Sequence, residues 1–370
     1  MLKSKKFWFY EVCNQFELTD EMINSAKQKG KFFDDALAIY DIIGTGIHPS
    51  LKKFQRTSHL PNSLIFNNVF VDINTIKIIF HLSPKYNINT LKFSCNNFNL
   101  KNLECLVNSI INKEHCVNNL TYEWNDIIII DGIQYSYKNI SNIEDEKLLE
   151  LMDKTQELIA NLVNSKLEIL CLRGNFLGDK GALKIFNNLK LNESPKLRVL
   201  NLFNNNLTDD CIKTLVDLIL VNKSLEEINL GKNNLTDTSL ELIANNYGSY
   251  KMTNEELEEY RKIDRERQEI IKQNQKLKAA KKPELEVAYL DPLKEVDGVF
   301  YKIKNDTLKI FNFIHNNFTE KSFDSVIKII NLNSESIVSI DGKIYNEEQR
   351  NTLKEVNNEH DYGNRVFLLK

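Results

Sequence analysis

The side chains best suited to acid–base, nucleophilic or metal chemistry are six histidines, His48, His59, His81, His115, His315 and His360, and six cysteines, Cys13, Cys95, Cys105, Cys116, Cys171 and Cys211. Their spacing assembles none of these chemistries. The chain has no H-E-x-x-H, no C-x-x-C and no G-x-S-x-G, and the two glycines of "GTGIHPS" (Gly44 and Gly46) lack the G-K-[S/T] that would cradle a phosphate. That segment reads as a loop, the cysteines read as free thiols, and no catalytic, cofactor or metal set can be proposed. What does recur is a carboxamide. In "LEILCLRGNFL", Leu167 to Leu177, Asn175 follows leucines at 167, 170 and 172. An amide side chain both donates and accepts, so at a buried turn it can satisfy backbone groups that water cannot reach.

The pattern L-x-x-L-x-L-x-x-N-x-L returns in "LRVLNLFNNNL" from Leu197 and "LEEINLGKNNL" from Leu225. With Ile, Val and Phe at the apolar sites it also returns in "INTLKFSCNNF" from Ile88, "VNNLTYEWNDI" from Val117 and "LKIFNFIHNNF" from Leu308, and, with Ser63 as a defect, in "LPNSLIFNNVF" from Leu60. Leu60 to Ile88 is 28 residues, Ile88 to Val117 is 29, Leu167 to Leu197 is 30 and Leu197 to Leu225 is 28. Such a period marks a leucine-rich repeat of the long, helical class.

Each unit specifies its own elements. Alternate residues of the L-x-L core lie on one face of a short strand, so Leu170 and Leu172 point inward and Cys171 outward. The second half is helical: "NLTDDCIKTLVDLIL" offers Thr208 as a cap, Asp209 and Asp210 in the first turn, and Ile212, Leu215, Leu218 and Ile219 at helical spacing. Thr236 and Thr319 repeat the plan. Small residues, Gly181, Cys211, Ser239 and Ser322, fall where the helix must start close to the strand. No unit can bury its apolar face alone, so the units must stack. The fold expected is α/β, a ribonuclease-inhibitor-like solenoid or horseshoe with parallel concave strands and convex helices. Stacking would align Asn96, Asn125, Asn175, Asn205, Asn233 and Asn316 as a structural ladder.

The organisation expected is an N-terminal helical cap at 1–56, repeats at 57–247 with a hairpin inserted near 128–142, a charged helix and hairpin at 248–302, and a final repeat with a C-terminal cap at 303–370. Asp131-Gly132, Asp297-Gly298 and Asp341-Gly342 each give a hairpin signal. In "MTNEELEEYRKIDRERQEIIKQNQKLKAAKKPE", Thr253 and Glu256 form a capping box, acids open the run, lysines close it and Pro283 stops it. Ile263, Ile270 and Leu277 lie seven apart, but Arg267 and Asn274 occupy the alternate positions, which argues for an exposed helix over a coiled coil.

Hydrophobic residues make up 42% and charged residues 27% of the 370, with net charge −3, an ordinary globular balance that gives no reason to expect nucleic acid. "MLKSKKFWFYEVCNQF" is basic, but its apolar run FWFY is too short for a signal-peptide core, and no stretch approaches the roughly 18 apolar residues of a span. A cytosolic protein without a membrane segment or small-molecule substrate is expected.

Strand periodicity places Ile169, Cys171 and Arg173 on the concave surface, then Val199, Asn201 and Phe203, Glu227 and Asn229, and Ile310, Asn312 and Ile314. Apolar groups displayed on an open face mark an interaction surface, unless the 248–302 insert folds back over them. Arg261, Arg265 and Arg267 of the insert helix form a second candidate partner-binding group. Because the concave face mixes Lys92, Glu123, Arg173 and Glu227, it lacks the acidity expected of an inhibitor of a basic enzyme.

A family resemblance rests on the insert. The order "NKSLEEINLGKNNL", then "YKMTNEELEEYRKIDRERQE", a basic stretch, and "LDPLKEVDGVFYKIKNDTLKIFNFIHNNFTEKSF" resembles the leucine-rich-repeat-containing protein seventy-one family over residues 165 to 325. Pro292, Leu293, Val296, Asp297 and Gly298 carry the comparison. The resemblance implies a non-enzymatic structural component of the motile cilium axoneme, in the central apparatus or a radial spoke, with other axonemal proteins as partners. The alternative is a soluble adaptor or inhibitor that binds a protein reversibly.

Overall fold

The computed structural model describes residues 17–56, 62–96, 98–112, 114–125, 127–130, 133–136, 146–288, 290, 293–296, 298–305, 307–333, 335–358 and 366–369. Cys13, His59, His360, Pro292 and the Asp131-Gly132 turn lie outside them.

Each repeat contributes a strand and then a helix. The strands are β1 (Ser63–Asn67), β2 (Thr90–Ser94), β3 (Asn119–Glu123), β6 (Ile169–Cys171), β7 (Val199–Asn201), β8 (Glu227–Asn229), β12 (Ile310–Asn312), β13 (Ile337–Asp341) and β14 (Val366–Leu369). In that order they form one open, nine-stranded sheet, parallel at every step. The helices between them are α3 (Ile73–Tyr86), α4 (Leu100–Asn112), α5 (Glu146–Asn161), α6 (Gly178–Leu191), α7 (Ile212–Val221), α8 (Asp237–Asn246) and α10 (Phe323–Leu332), each packed against the next. This is the α/β leucine-rich-repeat solenoid. Leu120, Leu170, Leu200, Ile228 and Phe311 are in register and fully buried, so every repeat supplies the floor of its neighbour. Truncating one to alanine would cost about 2–5 kcal/mol.

One core runs from Leu18 to Val366. At the N-terminal end it is closed by α1 (Asp20–Ser25), α2 (Phe32–Ile42) and a 3₁₀ segment at Pro49–Arg56. Asp35, fully buried on α2, ties this layer to α3 by accepting from Lys85 Nζ (2.6 Å) and Tyr86 Oη (2.5 Å). At the other end α11 (Glu347–Asn358) packs with β14.

The first repeat departs from the sequence alignment by one residue. Leu64 pairs with Leu91 and Phe66 with Phe93, so Val69, not Asn68, stands opposite Asn96. Burial of Leu64 and Phe66 decides the register, because a shift by one would turn both to the other face of the sheet.

β4 (Ile127–Ile130) and β5 (Ile133–Ser136) form an antiparallel pair after β3. The second insert is a three-stranded sheet rather than a hairpin alone: β10 (Leu293–Val296) pairs with β11 (Val299–Asn305), and β11 with β9 (Gly248–Lys251), the strand that precedes the long helix α9 (Asn254–Ala279). The insert joins the solenoid on its helix side, where β11 meets α7 and β9 meets α10. At its base Asn305 Nδ2 donates to Ile219 O (2.5 Å) and Asn222 O (2.9 Å). Tyr247 Oη donates to Leu308 O at 2.7 Å, bridging the two ends of the insertion. The sheet thus resumes with Ile228 opposite Phe311.

Asp341-Gly342 is not a hairpin. Asp341 ends β13, a 3₁₀ turn (Gly342–Ile344) leads to α11, and the chain returns as a parallel strand. Gly342 is buried, and a Cβ added to it would fall 3.0 Å from Leu368 Cβ, so the turn serves close packing rather than chain reversal.

Candidate protein-binding face

Among the described residues the helices cover one face of the sheet and leave the other free. Three aligned rows of side chains occupy the free face. One holds Ile169, Val199, Glu227 and Ile310; the next holds Cys171, Asn201, Asn229 and Asn312. By strand period the third holds Arg173, Phe203 and Ile314. All eleven residues assigned to the concave surface are partly accessible, with Arg173 exposed.

The asparagine row is ordered by its own backbone. Asn201 Oδ1 accepts from Phe203 N (3.0 Å), Asn229 Oδ1 from Gly231 N (3.0 Å) and Asn312 Oδ1 from Ile314 N (3.1 Å). These bonds fix the amide orientation and leave each Nδ2 as the outward donor. Cys171 is half-buried with its thiol pushed up by burial, which disfavours the reactive thiolate.

Arg173 is held between two rings. Its guanidinium carbon lies 4.6 Å from the centroid of Phe203 and 5.4 Å from that of Trp124. Trp124 has φ 55°, a left-handed conformation unusual for a bulky residue, and its N–H donates to Arg173 O at 2.9 Å. The rings rest directly on glycines: an added Cβ would fall 2.3 Å from Trp124 at Gly174 and 2.9 Å from Phe203 at Gly231. Elsewhere on this face Lys92 Nζ pairs with Glu123 at 2.5 Å, and Ser94 Oγ donates to the same carboxylate.

Behind the face runs the asparagine ladder. Asn96 N donates to Asn125 Oδ1 (2.7 Å), Asn125 N to Asn175 Oδ1 (2.9 Å), Asn175 N to Asn205 Oδ1 (3.0 Å) and Asn205 N to Asn233 Oδ1 (2.9 Å). Asn316 Oδ1 accepts instead from Leu235 N (3.1 Å). Each Nδ2 then reaches a carbonyl of a neighbouring repeat, as Asn175 reaches Tyr122 O at 2.7 Å. The residue before each ladder asparagine, Cys95, Trp124, Gly174, Asn204, Lys232 or His315, has positive φ. That turn is what aims the amide inward.

A second ladder went unread in the sequence. Asp179 accepts from both the N–H and the hydroxyl of Thr208 (2.8 and 2.7 Å), Asp209 does the same for Thr236 (2.9 and 2.5 Å), and Asp237 for Thr319 (2.8 and 2.5 Å). Ser239 Oγ also donates to Asp209. Burial raises the Asp209 carboxyl, but the bonds from Ser239 and Thr236 outweigh it and hold the group below its ordinary value. Thr208 and Thr319 also cap their helices, whereas the Thr236 hydroxyl goes to Asp209 alone. The acid of one helix start thus clamps the threonine of the next.

The insert arginines have partners inside the insert. Arg261 pairs with Glu258 (3.0 Å) and lies 5.3 Å from the Phe300 ring; Arg265 Nε donates to Arg261 O (3.1 Å); Arg267 donates to Ala288 O (3.1 Å). The capping box is complete, Thr253 Oγ1 accepting from Glu256 N and Glu256 Oε2 from Thr253 N. Asn274, the buried polar residue that breaks the heptad seam, bonds both ways with the Leu285 backbone at 2.7 Å and pins the following segment along the helix.

Among the described residues no group of three or more His, Cys, Asp or Glu could hold a metal, and no helix is long and apolar enough to cross a membrane. The described cysteines are thiols.

A family model described as Leucine Rich repeat matches residues 163–186, 193–216 and 221–244. No curated protein matches the chain. Among solved structures, the Rad7–Elc1 complex of yeast contains a chain that is 12% identical, with 90% of this chain and 70% of that chain covered and a TM-score of 0.35. Three repeats of this chain are thus similar in sequence to leucine-rich repeats.

Proposed function

We propose that the protein is a non-enzymatic scaffold that binds other proteins through the helix-free face of its sheet. The observation that carries this reading is the display there of Ile169, Val199, Phe203, Ile310 and Ile314 in aligned rows, with the long insert attached on the opposite, helix side. Apolar residues rimmed by polar ones on an open, rigid surface suit protein docking. The half-buried, basic-shifted Cys171 supports no nucleophile.

Within that class the finer reading is a structural part of the motile-cilium axoneme, held by neighbouring axonemal proteins. Its support is the insert: a capped charged helix and a turn at Gly298 interrupt the solenoid between β8 and β12, as in the family that the sequence resembles. The insert arginines belong to this proposal as a second contact surface. Fractionation of cilia that carry a tagged copy tests it. Retention on the salt-washed axoneme is expected; release with the detergent-soluble matrix, or absence from cilia, would replace it with a reversible cytosolic adaptor.

A further inference from the structure

Among the charges of the helix-free face, Arg173 and Glu227 are of opposite sign and each lacks an ionic partner among the described residues. Arg173 has its guanidinium between Trp124 and Phe203, with no carboxylate against it. Glu227 is half-buried between Val199 and Ile310 on the flanking strands, with no cation against it. Of the other charged groups on the face, Lys92 is matched by Glu123, and the exposed Lys232 stands at the turn position level with Asn204 and His315. Leaving Arg173 unmatched is a built feature. Trp124 adopts a left-handed backbone and Gly174 and Gly231 leave no room for a side chain, so that the two rings can grip the guanidinium. A stacked guanidinium keeps its in-plane N–H donors outward and loses little freedom when an acceptor arrives.

From this we infer that Arg173 is an anion receptor for the carboxylate of an aspartate or glutamate in a protein partner, with Glu227 receiving a lysine or arginine of the same segment. The inference rests on the reading of this face as a docking surface and names what docks there. Arg173 and Glu227 stand two strands apart and four residues apart along the strand direction, about 16 Å at ordinary strand spacing and rise, so one extended segment of about five residues can meet both. Beside Arg173 the row Asn201, Asn229 and Asn312 turns its Oδ1 atoms to the backbone and offers N–H groups only, which suits a chain rich in acceptors. A guanidinium fixed between two rings offers one forked donor set, which matches a singly charged carboxylate. A phosphate dianion calls for a cluster of cations around it; Lys92 is already occupied by Glu123, and Lys232 stands two strands from Arg173.

The test is selection of a displayed random twelve-residue peptide library on the full-length chain, with recovered peptides rebound to Arg173→Gln, Arg173→Lys, Glu227→Gln and Val199→Lys. Expected are peptides with an acidic and a basic residue at constant separation, binding about tenfold weaker to Arg173→Gln and only partly recovered by Arg173→Lys, which keeps the charge but not the fork. Peptides that lose binding with Val199→Lys but are indifferent to Arg173→Gln would overturn the inference and leave the docking face standing. Recovery of no peptide sensitive to either change would overturn both. If a phosphoserine version of a recovered acidic peptide binds more tightly than the parent, and does so through Arg173, the carboxylate assignment falls.

Discussion

The indole of Trp124 occupies the space that a side chain at Gly174 would need: an added Cβ would fall 2.3 Å from Cε3. Gly174 also has φ 70°, so two separate constraints exclude any other residue. Gly174→Ala should destabilise by about 1–3 kcal/mol and displace the indole. Denaturant unfolding followed by both circular dichroism and tryptophan emission checks this. Trp124→Asn, which tolerates the left-handed turn, should keep the fold while releasing Arg173.

Asn175 and Asn201 have the same side chain on neighbouring repeats and opposite roles. Asn175 is buried, accepts from Asn125 N and donates to Tyr122 O and Leu172 O. Removing it strands several buried groups, so Asn175→Ala should cost about 3 kcal/mol or more. Asn201→Ala loses one partly accessible turn bond and should cost about 1 kcal/mol or less. Equal losses in urea titrations would contradict the ladder assignment.

The ladder and the repeats were legible because they impose residue type at fixed spacing: leucines at 170 and 172 and an amide at 175 admit few substitutes. What escaped the sequence has weaker local signals. The register of β1 was missed because Asn68 mimics the ladder residue one position early, and only burial of Leu64 and Phe66 settles it. β9 was missed because four residues, "GSYK", carry too little alternation to mark a strand. The clamp of Asp179 on Thr208 joins residues 29 apart and reads locally as ordinary helix capping. Of the binding face, the rows followed from period two, but the grip on Arg173 did not. Trp124 reaches it across the first long interval, and the signal that could have revealed it was the glycine at 174, where the neighbouring repeats have Trp124 and Asn204.

Acid should weaken the N-terminal layer first. Burial raises the Asp35 carboxyl, but bonds from Lys85, Tyr86, Lys29 and Gly30 outweigh it and hold the group below its ordinary value of 3.8. Its stabilisation is therefore complete above the ordinary carboxylate range and lost as pH falls through the folded value. His48 is buried with Nε2 against Phe70 O, and burial lowers its pKa from 6.5, so its contribution is also complete above that pH and falls below it. Stability measured from pH 7 to pH 3 should decline, and Asp35→Asn should be weaker at pH 7 with a flatter acid limb. An unchanged limb would remove Asp35 from the account.

Asn274 should control the segment after α9. Its two bonds to Leu285 hold residues 281–288 along the helix. Asn274→Ala should expose that segment to limited proteolysis near its lysines, Lys281 and Lys282, while the unfolding midpoint of the solenoid stays within error. Cleavage no faster than in the unaltered protein would show that the strap is held by other contacts.

The central claim is that partners dock on the helix-free face, and site-specific photocrosslinking in cells tests it most directly. A photoreactive residue placed at Val199 on β7 is compared with one at Lys213, exposed on the helix side of the same repeat. The account predicts discrete protein adducts from position 199, lost when Arg173 is also changed to Gln, and none of the same mass from position 213. Adducts from position 213 alone would move the binding surface to the helices and contradict it.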